Sequence, residues 1–197
     1  MAAPSFVCGP SSWRSRRSGG QTLFTTDRLI LRPPRITDLA DIHEIFSDAE
    51  ALTYWSSGPH ASLEETRAWL QPLLDDPSAS PYDFFIEMGG RIIGKMGCWR
   101  IPEVGFILHR SARGQGVARE GLLGLIAYMR GQDACDHLWA DVDPRNHRSR
   151  RLLETCGFRR AGFARNTIQT HIGWCDSDYF RFDFATFSED GGAGSGG

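Results

Sequence analysis

Lysine is almost missing from this chain: of its 22 basic residues 21 are arginine, and Lys95 stands alone. An excess of one charge is missing too, since 22 basic and 24 acidic residues give 22 − 24 = −2. A nucleic-acid coat or a membrane-surface protein would be more basic. No run approaches the roughly 18 consecutive apolar residues of a membrane-spanning helix. CxxC pairs are absent as well. The five cysteines, Cys8, Cys98, Cys135, Cys156 and Cys175, are odd in number and scattered, which points to reduced thiols in an intracellular protein and gives no zinc site. His43, His60, His109, His137, His147 and His171 show no metal spacing either, so no metal is expected. What remains is globular composition, 41% hydrophobic and 23% charged over 197 residues, enough for one substantial core.

The two ends differ from the middle. Residues 1–22 hold Arg14, Arg16 and Arg17, five serines and no acid. They lack the apolar stretch of a secretory signal, and the composition suits either a disordered leader or a mitochondrial or plastid transit peptide. Residues 188–197, SEDGGAGSGG, offer no side chain able to build a core and read as a disordered tail. One folded domain is left, over residues 23–187. Without a transit peptide, the expected location is cytoplasmic.

Within that domain, Arg28 to Arg32 reads as a short strand stopped by Pro33 and Pro34. Thr37 is the expected N-cap of a helix carrying Leu39, Ile42, Ile45 and Phe46 on one face. Ser62 and Glu65 form a capping-box pattern for a second helix ending at Asp75, Asp76 and Pro77. Phe84–Met88 and Arg91–Trp99 flank Gly89-Gly90, a hairpin signal. Glu103–Leu108, a helix from Ala118 to Gly131 and Leu138–Val142 make a strand, helix, strand unit whose strands should run parallel. A helix over Asn146–Cys156 should end at Gly157, and Phe158–Phe163, Thr167–Trp174 and Tyr179–Phe184 read as three closing strands. The expected class is therefore α/β (α+β). Its sheet is mixed, with an antiparallel meander first, one parallel crossover, and antiparallel strands last.

Three glycine patterns compete for phosphate chemistry. Gly89, Gly94 and Lys95 have the spacing of a P-loop, but Met96 stands where a magnesium-binding hydroxyl is required and no helix follows. Gly114 and Gly116 open a dinucleotide fingerprint that fails at Arg119, where a small residue is needed. Left over is a loop of backbone N–H groups at a helix N-terminus after Arg113, a generic site for a diphosphate.

Arg113-Gly114-Gln115-Gly116-Val117-Ala118 resembles the [Q/R]xxGx[G/A] loop of the GNAT superfamily of acetyl-CoA-dependent N-acetyltransferases. Asp143-Pro144-Arg145-Asn146-His147-Arg148-Ser149, followed by Leu152, Leu153, Glu154, Gly157 and Phe158, is similar to the family's second motif. TDRLILRPP (residues 26–34) and GWCDSDYF (residues 173–180) are similar to its RimJ/RimL-like branch, whose members acetylate protein N-termini or small amines. The resemblance extends over roughly residues 25–185 and implies acetyl-CoA as co-substrate and direct transfer of its acetyl group to a primary amine, of a peptide or a small molecule. It further implies that the Phe106–Leu108 backbone pairs with the pantetheine arm, that residues 113–118 cradle the diphosphate, and that Asn146 contacts the arm or caps its helix.

Glu103 is the candidate base, since an amine is mostly protonated at neutral pH; an exposed strand-end glutamate without a role is the other reading. Many superfamily members carry a Tyr where this chain has Leu153, leaving Ser149 as the candidate partner of the leaving thiolate. That missing Tyr also motivates a different reading, a non-catalytic acyl-CoA-binding regulatory module. Cys156 is read as core rather than as a nucleophile. Tyr54, Trp55, Trp99, Trp174 and Asp176 fall in segments that border the acceptor in similar proteins, with core packing the alternative for each aromatic. Arg145, Arg148, Arg150, Arg151, Arg159, Arg160 and Arg165 are read as serving the nucleotide phosphates of coenzyme A or solvent, not nucleic acid, because no aromatic residues interleave them as base-stacking would need. No membrane partner is expected, and a monomer and a homodimer are equally compatible.

Overall fold

The computed structural model describes residues 14–18 and 21–186. Nine strands form one sheet in the order β1-β2-β3-β4-β5-β6-β7-β9-β8. The meander comprises β1 (Arg14–Ser18), β2 (Gln21–Thr25), β3 (Ile30–Arg32), β4 (Tyr82–Met88), β5 (Arg91–Arg100) and β6 (Glu103–Leu108), all antiparallel to their neighbours. Between β3 and β4 lie α1 (Leu39–Phe46), α2 (Ala49–Leu52) and α3 (Leu63–Asp75). After β6 the chain forms α4 (Val117–Arg130) and returns parallel as β7 (His137–Val142). It then makes α5 (His147–Thr155) and closes with the hairpin β8 (Arg159–Thr170) and β9 (Gly173–Asp183).

Four details differ from the sequence reading. β1 and β2 pair from Arg14 to Thr25, so the sheet reaches into the segment that composition suggested was a leader. Backbone pairing needs no apolar side chains, which is why the arginine-rich run gave no strand signal. The expected tail, residues 188–197, lies outside the described residues. Thr37 is not the cap of α1: it sits inside a 3-10 turn, Ile36–Asp38, whose Asp38 carboxylate accepts the Arg35 N–H at 2.7 Å and the Arg32 guanidinium at 2.8 and 2.9 Å. Finally, the three expected closing strands are two, because the gap between the first two is absorbed by a register shift between Ala164 and Ile168.

Two apolar clusters lie on opposite faces of the sheet. One face packs Phe84, Ile86, Met96, Val104, Leu138, Ala140, Phe180 and Phe182 against α4 and α5 through Leu122, Leu125, Met129 and Leu153. The other packs Phe85, Ile92 and Ile107 against α1, α2 and α3. No strand after β6 contributes to this second cluster. The face of β7 and β9 that bears Trp139, Asp141, Tyr179 and Arg181 is therefore not covered by those helices.

The two P-loop-like features have structural roles. Gly89 and Gly90 hold the positive φ values, 61° and 82°, of a two-residue hairpin turn. Lys95 is buried with its ammonium 2.7 Å from an Asp83 carboxylate oxygen. Burial of the second cluster also traps a histidine. His60 is buried, its ring lies 5.1 Å from that of Phe46, and its Nδ1 is 2.9 Å from the Thr66 hydroxyl, which the His43 ring also contacts at 2.7 Å. Burial, aided by His43 and opposed by Glu65, lowers the pKa of His60 below its ordinary value of 6.5. The unfolded chain thus binds the extra proton, so this site's contribution to stability is complete above the unfolded value and is lost as pH falls through the lowered native one. Urea titrations at successive pH values should show stability declining below about pH 6.5, with a shallower decline in His60→Gln; equal slopes would remove His60 as the cause.

Candidate active site

The parallel pairing of β6 with β7 consists of one residue pair, Glu103 with Trp139, supported by the Trp139 N–H donating to the Pro102 carbonyl at 3.1 Å. Beyond it the strands part. The edge of β6 from Val104 to Leu108 that faces away from β5 consequently has no strand beside it. Main-chain groups there are open to an extended ligand, as on any sheet edge, except the Leu108 carbonyl, which accepts from Arg113 Nε at 3.4 Å. Of Phe106, Ile107 and Leu108, the residues expected to meet a pantetheine arm, Phe106 and Leu108 turn their main-chain groups to this edge, while those of Ile107 face β5, in phase with the His109 N–H that donates to the Ile93 carbonyl at 2.8 Å.

At the far end of that gap the chain turns into α4. Gly114 and Gly116 adopt φ values of 75° and 77°, a left-handed backbone that side chains resist, and space is open around Gly114 where a Cβ would stand. Gly116 is the N-cap of α4 and no side chain caps the helix. The first-turn N–H groups, including those of Val117 and Ala118, thus lack the usual partner, and the positive end of the helix dipole adds to their pull on an anion. These features suit a diphosphate. Gln115 folds back, its side-chain amide donating to the Ser111 carbonyl.

Arg113, which opens the loop segment, is paired with acidic side chains. Its guanidinium lies 3.3 Å from Asp48, the N-cap of α2, and 3.2 Å from Glu50. Glu50 also pairs with Arg148 of α5 at 3.3 Å. The short helix α2, which had no signal of its own in the sequence, is thus tied to elements on both sides of the gap. Beside the loop instead stands Arg28, whose Nη2 donates to the Gln115 carbonyl at 3.1 Å.

Across the gap, Asn146 caps α5: its side-chain oxygen accepts the Ser149 N–H at 3.1 Å. Ser149 occupies the first turn of that helix. Leu153 is fully buried in the core. Cys156 is buried too, and burial pushes its thiol up to about 11, leaving almost no thiolate at neutral pH.

Glu103 opens β6, is mostly shielded, and takes a 3.0 Å ion pair from the exposed Arg100. Residues paired across parallel strands share a face, so Glu103 and Trp139 lie together, and Asp141 follows two residues further on the same side. Asp141 was not singled out in the sequence. It is exposed, yet partial desolvation by the surrounding protein atoms, then the charges of Glu103 and Asp143, raises its carboxyl pKa, against the Ser177 hydrogen bond. Its neighbour Asp143 goes the other way: burial works to raise it, and the Arg145 hydrogen bonds at 2.5 and 2.9 Å carry it below the usual range.

The remaining candidates separate. Trp174, which is 60% exposed, and Asp176 line a pocket of about 160 Å³ with Asp143, Pro144 and Arg145, though Asp176 also accepts the Asn166 N–H at 2.9 Å. Tyr54 borders it, with the Arg145 guanidinium 5.9 Å from its ring. Trp99 is half exposed on β5 under the Arg100 guanidinium. Trp55 packs edge-on against Phe46 in the second cluster, which is the core role. Of the arginine cluster, Arg150 and Arg160 pair with buried Asp178, and Arg151, Arg159 and Arg165 are exposed. Among the described residues, no group of His, Cys, Asp or Glu could hold a metal, and no helix is long and apolar enough to cross a membrane.

Comparison with known proteins agrees with this architecture. Residues 28–159 match the family model of the acetyltransferase (GNAT) domain, so the chain belongs to the GNAT acetyltransferases and is an acetyl-CoA-dependent enzyme of that kind. It is 27% identical over 155 residues to the uncharacterized N-acetyltransferase p20 of Bacillus licheniformis, covering 74% of this chain and 86% of that one. Spermidine N-acetyltransferase from Vibrio cholerae, solved with CoA and spermine, shares the fold with a TM-score of 0.68 at 21% identity, over 80% of this chain and 96% of its own. The ribosomal-protein-S5-alanine acetyltransferase of Vibrio fischeri does so with a TM-score of 0.69 at 21% identity, over 82% and 96%.

The buried thiols give a direct check on the inert reading of Cys156. Iodoacetamide at neutral pH should leave Cys156, and Cys98 whose thiol burial pushes up to about 12, unmodified by mass spectrometry until denaturant is added. Rapid alkylation of Cys156 in the native protein would reopen its nucleophilic role.

Proposed function

We propose that this enzyme moves the acetyl group of acetyl-CoA directly to a primary amine, with donor and acceptor meeting where β6 and β7 part. The observation that carries the proposal is the uncapped N-terminus of α4, with two left-handed glycines before it, at the end of an open strand edge. In this reading the amides of residues 114–118 hold the diphosphate and the β6 edge from Phe106 to Leu108 pairs with the pantetheine arm. Acetyl-CoA supplies an acyl carbon activated as a thioester.

The acceptor arrives as an ammonium, because aliphatic and α-amines have pKa values of about 8 to 10. A carboxylate beside the reacting carbon serves twice, first attracting the cation and then taking its proton. Glu103 has that task, and Asp141 on the facing strand is the second carboxylate within reach of the same amine. Amide N–H groups of the β6 edge donate to the carbonyl oxygen as negative charge builds there. Ser149, on the first turn of α5, hydrogen-bonds the departing sulfur. A thiol of pKa about 8.5 leaves without a strong acid, so the burial of Leu153 is no obstacle. Trp99, Trp174 and Asp176 border the acceptor, and Trp55 supports them from the core.

The acceptor class is an amine-bearing peptide terminus or small polyamine, in keeping with the RimJ/RimL-like segments at both ends of the domain and with the two amine acetyltransferases of like fold. The competing reading raised by Leu153 in place of a Tyr is a module that binds acyl-CoA without turnover, which the family match of residues 28–159 speaks against. Thiol release across a panel of amines separates the two.

Calorimetry should show acetyl-CoA binding that Gly116→Glu abolishes, because the carboxylate enters the anion site; Gly116→Ala, strained by the positive φ but uncharged, should keep part of it. Absence of binding by the natural chain would sink the proposal. Glu103→Gln should retain acetyl-CoA affinity while losing on the order of 10²-fold or more in turnover at neutral pH. Full turnover in that variant, together with loss in Asp141→Asn, would move the base to Asp141.

A further inference from the structure

The charge next to the diphosphate loop is not the one the loop's own sequence supplies. Arg113, inside the motif, is neutralised by Asp48 and Glu50. Arg28 lies 85 residues earlier (113 − 28 = 85), ahead of β3, and its Nη2 donates to the Gln115 carbonyl of the loop at 3.1 Å. Its Nε is 2.6 Å from Glu120 Oε2 on the first turn of α4, and its backbone N–H reaches Glu120 Oε1 at 2.9 Å. Thr26 donates its hydroxyl to the same oxygen at 2.5 Å. Burial works to raise the pKa of Glu120, while the bonds from Thr26 and Arg28 outweigh it and keep the carboxylate charged. The fork of the guanidinium is thereby held by one nitrogen and aimed by another: Nη2 donates to the Gln115 carbonyl, and it would lie 3.6 Å from a Cβ at Gly116.

We infer that Arg28 is the positioning residue of the diphosphate site: by holding the Gln115 carbonyl, it turns the next N–H of the loop toward the anion. The geometry is that of a trans peptide, in which the carbonyl of Gln115 and the N–H of Gly116 point in opposite directions. Fixing the oxygen on Arg28 fixes the N–H on the side away from it. At a left-handed glycine this constraint matters, because without a side chain the peptide plane is otherwise free to rotate. The guanidinium, about half exposed, also adds positive charge beside the helix N-terminus, where no side-chain cap competes for the amides. Glu120 has a supporting part: it keeps Arg28 pointed at the loop and offsets the cost of crowding that cation against the positive end of α4.

The inference rests on the acetyl-CoA reading above and sharpens it, since it assigns a donor-recognition role to a residue outside both motifs. Its test compares CoA with pantetheine, which lacks the diphosphate. Affinities of the natural chain, Arg28→Ala, Arg28→Lys and Glu120→Gln for both ligands are measured by calorimetry, with pantetheine followed by competition if weak. Arg28→Ala should lower the affinity for CoA on the order of tenfold, the scale of one charge-assisted contact, and leave that for pantetheine within about twofold. Arg28→Lys should recover part of the loss, since an ammonium can still reach the carbonyl, and Glu120→Gln should show a smaller loss in the same direction. Equal losses for CoA and pantetheine, or none for either, would overturn the inference and return Arg28 to a purely structural ion pair. If Arg28→Ala does not fold, Arg28→Lys and Glu120→Gln carry the same comparison. Failure of the natural chain to bind CoA at all would instead sink the underlying acetyl-CoA reading.

Discussion

A parallel pair of strands that stays together for one residue pair is the feature on which the rest of this site depends. Where β7 leaves β6, main-chain donors and acceptors are exposed in the middle of a sheet. Such groups are costly to leave unmatched away from water, so the gap is stable only as a place where water or an extended ligand completes the sheet. The same parting sets α4 and α5 on opposite sides of the opening, each presenting its N-terminus. One is capped by Asn146 and one by nothing. The uncapped end is the one preceded by two glycines, and that asymmetry is the ground on which the diphosphate is proposed at α4.

Positive charge is carried almost wholly by arginine. A guanidinium can bond two partners in fixed directions, which a lysine ammonium cannot do with the same geometry. Arg32 bridges Asp38 and Glu87, Arg113 bridges Asp48 and Glu50, and Arg28 bridges Glu120 and a loop carbonyl. The exposed members, such as the Arg148 pair with Glu50, contribute little stability in water. Their effect is on position, since they tie α2 to both sides of the cleft. The lone lysine serves where a compact charge fits, in the buried pair with Asp83.

The helices were legible in the sequence because apolar spacing and capping residues are local signals: Ser62 does accept the Glu65 N–H at 3.1 Å, and Asn146 caps α5 as read. The two motifs were legible for a related reason, since each lies within a dozen or so residues and its glycines answer to local backbone demands. Other features gave no such sign. β1 has no apolar pattern and pairs with β2 through the backbone. α2 is four residues long, too short to show a period. The reduction of three expected closing strands to β8 and β9 turned on a bulge between Ala164 and Ile168, which leaves no compositional trace.

By itself the sequence determined the strand, helix, strand crossover, the two glycines at the mouth of α4, the cap on α5 and the class of chemistry these serve, because each is decided by residues near one another in the chain. Only the tertiary structure decided which charges face that chemistry. It turned Arg113 toward α2, brought Arg28 to the loop from the turn between β2 and β3, buried Leu153 and Cys156, and set Asp141 beside Glu103 on a face the helices leave open. Those outcomes depend on strand pairing between distant segments. Pairing fixes which side of the sheet a residue occupies, and a shift of one residue would have reversed it.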